Sequence, residues 1–175
     1  PQPTTPQTIT FNSLSNKIVG DADYSPGATA SSGLSVEYNS SNTNVATIAG
    51  NTMTIVGAGS TIITASQAGN ASYEPALDVM QTQVVDVKAL TVPSASANNK
   101  VYDGTNAATI SNLSPVGVVG SDNVIVSGGG TFASINVGTA LAVSTSLVLS
   151  GTDASNYSIT QPSGLTADIT TASQV

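Results

Sequence analysis

Apolar and polar side chains alternate along much of the chain, the period-2 signature of strands with one buried face. Leu34, Val36 and Tyr38 alternate with Ser35, Glu37 and Asn39. Leu141, Val143, Thr145, Leu147 and Leu149 alternate with Ala140, Ala142, Ser144, Ser146 and Val148. The same rule predicts shorter strands at Ile9/Phe11, Met53/Ile55, Val124/Val126, Tyr157/Ile159 and Leu165/Ala167/Ile169. No stretch shows a helical period. Turn-forming clusters fall between these runs: Gly20-Asp21, Pro26-Gly27, Ser31-Ser32-Gly33, Gly50-Asn51, Gly57-Ala58-Gly59, Gly69-Asn70, Asp103-Gly104, Gly128-Gly129-Gly130 and Pro162-Ser163-Gly164. Many short strands divided by turn residues predict an all-β chain of the sandwich kind rather than a βαβ fold.

The pattern also predicts where one unit ends. Asp78 to Val92 reads as one long extended stretch with a polar pair, Asp86 and Lys88, in its middle. The expected organisation is two tandem Ig-like β-sandwiches arranged end to end, at 7–86 and 87–172, each slightly smaller than the usual domain of that type. Residues 1–6, Pro-Gln-Pro-Thr-Thr-Pro, read as an extended linker and 173–175 as a tail. The last strand of the first domain then runs almost directly into the second. With no Gly/Ser-rich spacer between them, a semi-rigid rod is expected. A single sandwich with this stretch as a central strand is the alternative.

Composition narrows the chemistry. The 175 residues hold 3 Lys and no Arg, 10 Asp plus Glu, and no His, Cys or Trp, for a net charge of -7. Without His or Cys there is no Ser-His-Asp or Cys-His nucleophile and no conventional zinc, haem or iron-sulfur ligand set. Three scattered cations offer no phosphate clamp, so nucleic acid is not an expected partner. Charged residues are only 7% of the chain, yet 39% are hydrophobic and β-branched residues abound, which separates it from disordered chains. No apolar run approaches the roughly 18 residues of a membrane span. No basic and apolar leader is found at the N-terminus, so an export signal is expected outside this piece of a longer protein.

Two stretches carry a resemblance. Glu37 to Ser66 contains a Tyr38-Asn-Ser-Ser-Asn turn, Val45-Ala-Thr-Ile48, and Gly57-Ala-Gly59 ahead of Thr61-Ile-Ile-Thr-Ala65. It resembles the bacterial Ig-like group 2 domains of invasin-type and intimin-type surface proteins. In the second half, Lys88–Val92, Asn99-Lys-Val-Tyr-Asp-Gly-Thr105, Gly130–Ser134, Asn136–Thr139, Leu149–Tyr157 and Gly164–Thr170 occur in order. They resemble the YDG domain of the MBG-like group of exoproteins. This second likeness is the more specific. What both imply is an exported, non-enzymatic module in a many-domained adhesin at the bacterial cell surface, a structural stalk or spacer holding a distal binding region away from the cell. The implied partners are neighbouring Ig-like domains of the same chain. The alternative is that one domain itself binds a ligand: a glycan, a protein or an ice surface.

Individual residues suggest several local chemistries, each beside a plainer reading. In Val101-Tyr102-Asp103-Gly104-Thr105, Asp-Gly turns tightly while the carboxylate accepts backbone N–H groups. Tyr102 and Tyr157 are expected to anchor their cores, with each hydroxyl seeking a polar partner. Asp21 and Asp23 have the i, i+2 spacing of calcium loops, although no full ligand series follows and solvated turn carboxylates are the plain reading. Among Lys17, Lys88 and Lys100, Lys100 is the candidate amine for a Lys-Asn isopeptide bond, by analogy with other surface domains; a salt pair with Asp103 is the plain reading. Thr8/Thr10 and Thr52/Thr54 pair hydroxyls on strand faces as an ice or sugar surface would, but two pairs make a thin array. Glu37, Glu74 and Asp78 offer carboxylates for glycosidase-like chemistry without an evident cleft. The Gly-rich segments lack the Lys or helix of a phosphate cradle and are read as turns.

Overall fold

The computed structural model of the chain describes residues 3–172, so the predicted tail at 173–175 and the first two residues of the predicted linker lie outside it. The described residues are all-β: they hold no α-helix and one short 3-10 turn at Ala154–Asn156. The chain divides between Val87 and Lys88 into two compact units.

The first unit holds β1 (Ile9–Thr10), β2 (Lys17–Ile18), β3 (Thr29–Ala30), β4 (Glu37–Ser40), β5 (Ala46–Ala49), β6 (Thr52–Ile55), β7 (Gly59–Ser66) and β8 (Val79–Asp86). A four-stranded sheet runs β2-β8-β7-β4, in which β2 is parallel to β8 and the other pairs are antiparallel. β1 pairs with β3, and Gly50-Asn51 closes the β5-β6 hairpin. Ile9, Phe11, Ala46, Met53, Ile63 and Ala65 form the core, with the Phe11 and Tyr38 rings edge to face at 5.9 Å. Residues 3–6 include more than a linker: the Thr5 N–H donates to the Ser72 carbonyl at 2.8 Å, and the Glu74 N–H donates to the Thr5 carbonyl.

The second unit holds β9 (Lys88–Leu90), β10 (Ser96–Ala97), β11 (Lys100–Val101), β12 (Ala107–Ala108), β13 (Ile110–Ser111), β14 (Ile125–Phe132), β15 (Gly138–Ser150), β16 (Tyr157–Ile159) and β17 (Leu165–Thr170). Its main sheet runs β11-β17-β15-β14-β12, with β11 parallel to β17. β16 pairs in parallel with β9, and β10 with β13. β15 follows its alternation as read: Val143 and Leu147 are buried while Ala142, Ser144, Ser146 and Val148 face solvent. Phe132, Ile110, Val126, Val143, Leu147 and Ile169 are central to the core.

Three local expectations are corrected. Gly128-Gly129-Gly130 is not a turn but the middle of β14, because its neighbours come too close for side chains. A Cβ on Gly130 would lie 2.7 Å from the Ser144 carbonyl oxygen and 3.0 Å from Ile110 Cδ1. Likewise Gly59 opens β7, so only part of Gly57-Ala58-Gly59 is a turn. Leu34 and Val36 precede the strand, which begins at Glu37.

Both units end on the same cross-strand row. In the first, Lys17 of β2 pairs with Val85 of β8, which pairs with Gly59 of β7. In the second, Lys100 of β11 pairs with Ile169 of β17, which pairs with Gly138 of β15. A lysine, a buried aliphatic and a glycine thus lie abreast in each, with Val85 3% and Ile169 1% exposed.

Candidate functional site at the Tyr-Asp-Gly turn

The densest group of charged and polar contacts in the second unit grows from β11. Pairing with β17 holds Lys100 beside Ile169, and the next pair is Val101 with Thr170. The Tyr102 N–H then donates to the Thr170 carbonyl at 2.9 Å. The chain reverses at Asp103-Gly104, where Gly104 has φ +77°, a conformation that costs other residues roughly 1–2 kcal/mol. Asp103 Oδ1 accepts from the Thr105 N–H at 2.9 Å and from Thr105 Oγ1 at 2.8 Å. This is the carboxylate-capped turn that the residue pattern predicts.

Lys100 closes the turn from the other side. Its Nζ lies 2.7 Å from Asp103 Oδ1 and donates to the Thr105 carbonyl, Thr105 Oγ1 and the Ala107 carbonyl at 3.0, 3.0 and 3.2 Å. These partners are oxygens of the turn and of Ala107 at the start of β12, and they engage the ammonium as a charge. The hydrogen bond from Lys100 first, then those from the Thr105 N–H and hydroxyl, hold the Asp103 carboxyl at about 2, well below its ordinary 3.8. The Asp103 carboxylate is the acceptor around which Lys100 and Thr105 gather.

The sign of the pH effect follows. Because the folded value lies below the unfolded one, the Asp103 contribution is complete above about pH 4 and is lost as pH falls through about 2. Asp103→Asn should therefore flatten the acid limb of the second unit's stability curve between these values. Equal acid limbs in the two proteins, followed by circular dichroism during urea titrations, would contradict this role.

The remaining candidate residues are dispersed. Asp21 turns back on its own loop, its Oδ2 accepting from the Ile18 N–H at 3.0 Å, while Asp23 is exposed. Among the described residues no three His, Cys, Asp or Glu side chains converge to hold a metal ion. Lys17 Nζ sits 4.4 Å from the centroid of the Tyr24 ring. Lys88 is on β9, in register with Tyr157. Glu74 accepts from Thr4 Oγ1, and Asp78 is exposed just before β8. Glu37 lines an open recess of about 530 Å³ with Ser35, Val36, Tyr38, Gly50 and Asn51. Thr8, Thr10 and Thr52 face solvent and Thr54 is half-buried opposite Thr47.

The two expected tyrosine anchors part company. Tyr157 is 6% exposed; its hydroxyl accepts from the Val119 N–H at 3.0 Å and donates to Asp122 Oδ2 at 2.5 Å. Burial first, and the Asp122 contact second, push that hydroxyl's pKa up. Tyr102, in contrast, is 43% exposed and does not anchor the core. Its backbone N–H, not its ring, is what ties it to β17.

Glutamines hold positions that composition does not reveal. Gln83 is fully buried: Nε2 donates to the Ser15 carbonyl at 3.1 Å and the Val84 carbonyl at 2.7 Å, and Oε1 accepts from the Tyr24 hydroxyl. Its signal was available, since Val79, Gln81, Gln83 and Val85 alternate on the inward face of β8. Gln161 replaces a strand. Its Oε1 accepts from the Leu147 N–H and its Nε2 donates to the Leu147 carbonyl, both at 2.8 Å.

No curated protein matches the chain. Five of the six ordered blocks of the second half, all but Gly164–Thr170, lie in a matched segment that begins within β8, takes in the whole Lys100 turn and ends just before β17. Residues 82–164 match the family model of the YDG domain, and the resemblance of this part of the chain to that family holds.

Proposed function

We propose that the chain is a structural spacer in a large secreted or cell-surface bacterial adhesin, made of two tandem Ig-like sandwiches that hold a binding region at a distance. The observation that carries this reading is the parallel pairing of the last strand of each unit with an early one, β8 with β2 and β17 with β11. Tension drawn through the two ends of such a unit loads these hydrogen bonds together in shear rather than one at a time. The match to the YDG domain supports the same reading. So does the low charge, whose negative excess favours solubility and disfavours attachment to anionic surfaces. No helix among the described residues is long and apolar enough to cross a membrane.

The test replaces residues 7–172 inside the full-length protein. A pair of unrelated, mechanically stable β domains of similar length should preserve adhesion under flow, whereas a flexible Gly/Ser segment should lose it. Loss of adhesion with both replacements would overturn the spacer role. The second reading, a ligand site in one domain, finds its support in the recess lined by Glu37, whose carboxylate, with the polar groups of Ser35 and Asn51 and the aromatic Tyr38, offers hydrogen-bond partners to the hydroxyls of a sugar. Specific retention on a glycan array would favour it.

A further inference from the structure

We propose that the two units carry lysine clasps of unequal strength at one shared position, so that under tension the first unit opens before the second. The shared position is the cross-strand row of Lys17, Val85 and Gly59 in one unit and Lys100, Ile169 and Gly138 in the other. In each, the lysine lies on a two-residue strand parallel to the last strand of its unit. Each strand offers few backbone bonds, so what its lysine side chain grips has a large effect on how readily it peels away.

The grips differ. Lys17 places its ammonium over the face of Tyr24, a single cation–π contact. Lys100 holds Asp103, Thr105 and Ala107 through four oxygens. The sheet order gives the second clasp further reach. β11 and β12 lie at opposite edges of the five-stranded sheet, and the Ala107 carbonyl gripped by Lys100 belongs to β12. One ammonium therefore ties the edge strand beside β17 to the strand beside β14. Pulling β11 away must break this tie as well as the ladder.

Both grips are partly exposed, with 55% of the Asp103 side chain open to solvent, but several acceptors on one ammonium together exceed a single cation–π contact in strength. Lys100→Met should accordingly raise the second unit's opening rate at fixed force about tenfold. Lys17→Met should raise the first unit's rate only about threefold. Asp103→Asn, which keeps the three neutral acceptors, should have a smaller effect than Lys100→Met in the same direction.

The experiment stretches the entire two-unit chain between handles at its ends. The units are of nearly equal length, so a Gly/Ser insertion at the exposed turn Gly120-Ser121 marks the second unit by its larger extension. The expected record shows the unmarked step first. Simultaneous opening, or the marked step first, would overturn the proposal on the unaltered protein, whether or not Lys100→Met folds. An unchanged second step in both Lys100→Met and Asp103→Asn would also overturn it. The inference goes beyond the spacer reading, which is tested separately by domain replacement and survives either result.

Discussion

Gly128→Ala should cost the second unit about 3 kcal/mol, the combined effect of backbone strain and a forced separation of two strands. Gly128 has φ +127°, and an added Cβ would lie 2.4 Å from the Ser146 carbonyl oxygen and 3.0 Å from Leu147 Cα. Those obstacles are backbone atoms of β15, which cannot swing aside as a side-chain tip can. The strained conformation alone costs of order 1–3 kcal/mol for a non-glycine residue, and overpacking adds a similar amount. A loss of this size is a large share of the 5–15 kcal/mol typical of whole domains. In urea titrations of the full chain followed by amide hydrogen exchange, protection of β14 and β15 should fall while that of β7 and β8 stays. A loss below about 1 kcal/mol would mean that the strands separate easily there.

Gln83→Leu should destabilise the first unit by about 2 kcal/mol, although it places an apolar side chain in a fully buried position. Two effects compete. Replacing the amide by apolar volume gains roughly 1 kcal/mol. Against that, the Tyr24 hydroxyl and the Ser15 and Val84 carbonyls lose a partner in a partly buried network, at about 1 kcal/mol for each hydrogen bond removed. The orphaned groups win. Adding Tyr24→Phe should then recover about 1 kcal/mol, because it removes one orphan. A single variant more stable than the parent in denaturant titration would show that the amide does not hold these groups together.

What the sequence reveals depends on how far apart the interacting residues lie. The inward face of β15 is legible from Leu141 to Leu149 because alternation is a property of the strand itself. The Asp103 cap on Thr105 is legible because two residues separate donor and acceptor. The glycine run in β14 misleads because its local preference is for a turn, and the reason for three small residues is the backbone of β15, some eighteen positions away. Tyr102 misleads because scarcity of aromatic residues argues for burial, whereas the strand ends at Val101 and the ring sits exposed at the start of the turn. The Lys-aliphatic-Gly row is hidden for a related cause: Lys100 meets Ile169 across most of the second unit, and Lys17 meets Val85 across most of the first. The charged cluster at Lys100 to Thr105 could be found from spacing, but its extension to Ala107 on a distant edge needs the sheet order.

The amide of Gln161 has an effect outside its own fold. β15 is thirteen residues long, yet β17 covers only Gly138–Val143, so its outer half would offer bare N–H and C=O groups to any extended chain. At Leu147 both groups are already taken by one side chain. An intruding strand from another molecule thus meets a gap in the ladder where it would need continuous pairing, and crowded copies of this protein are kept from zipping together along that margin.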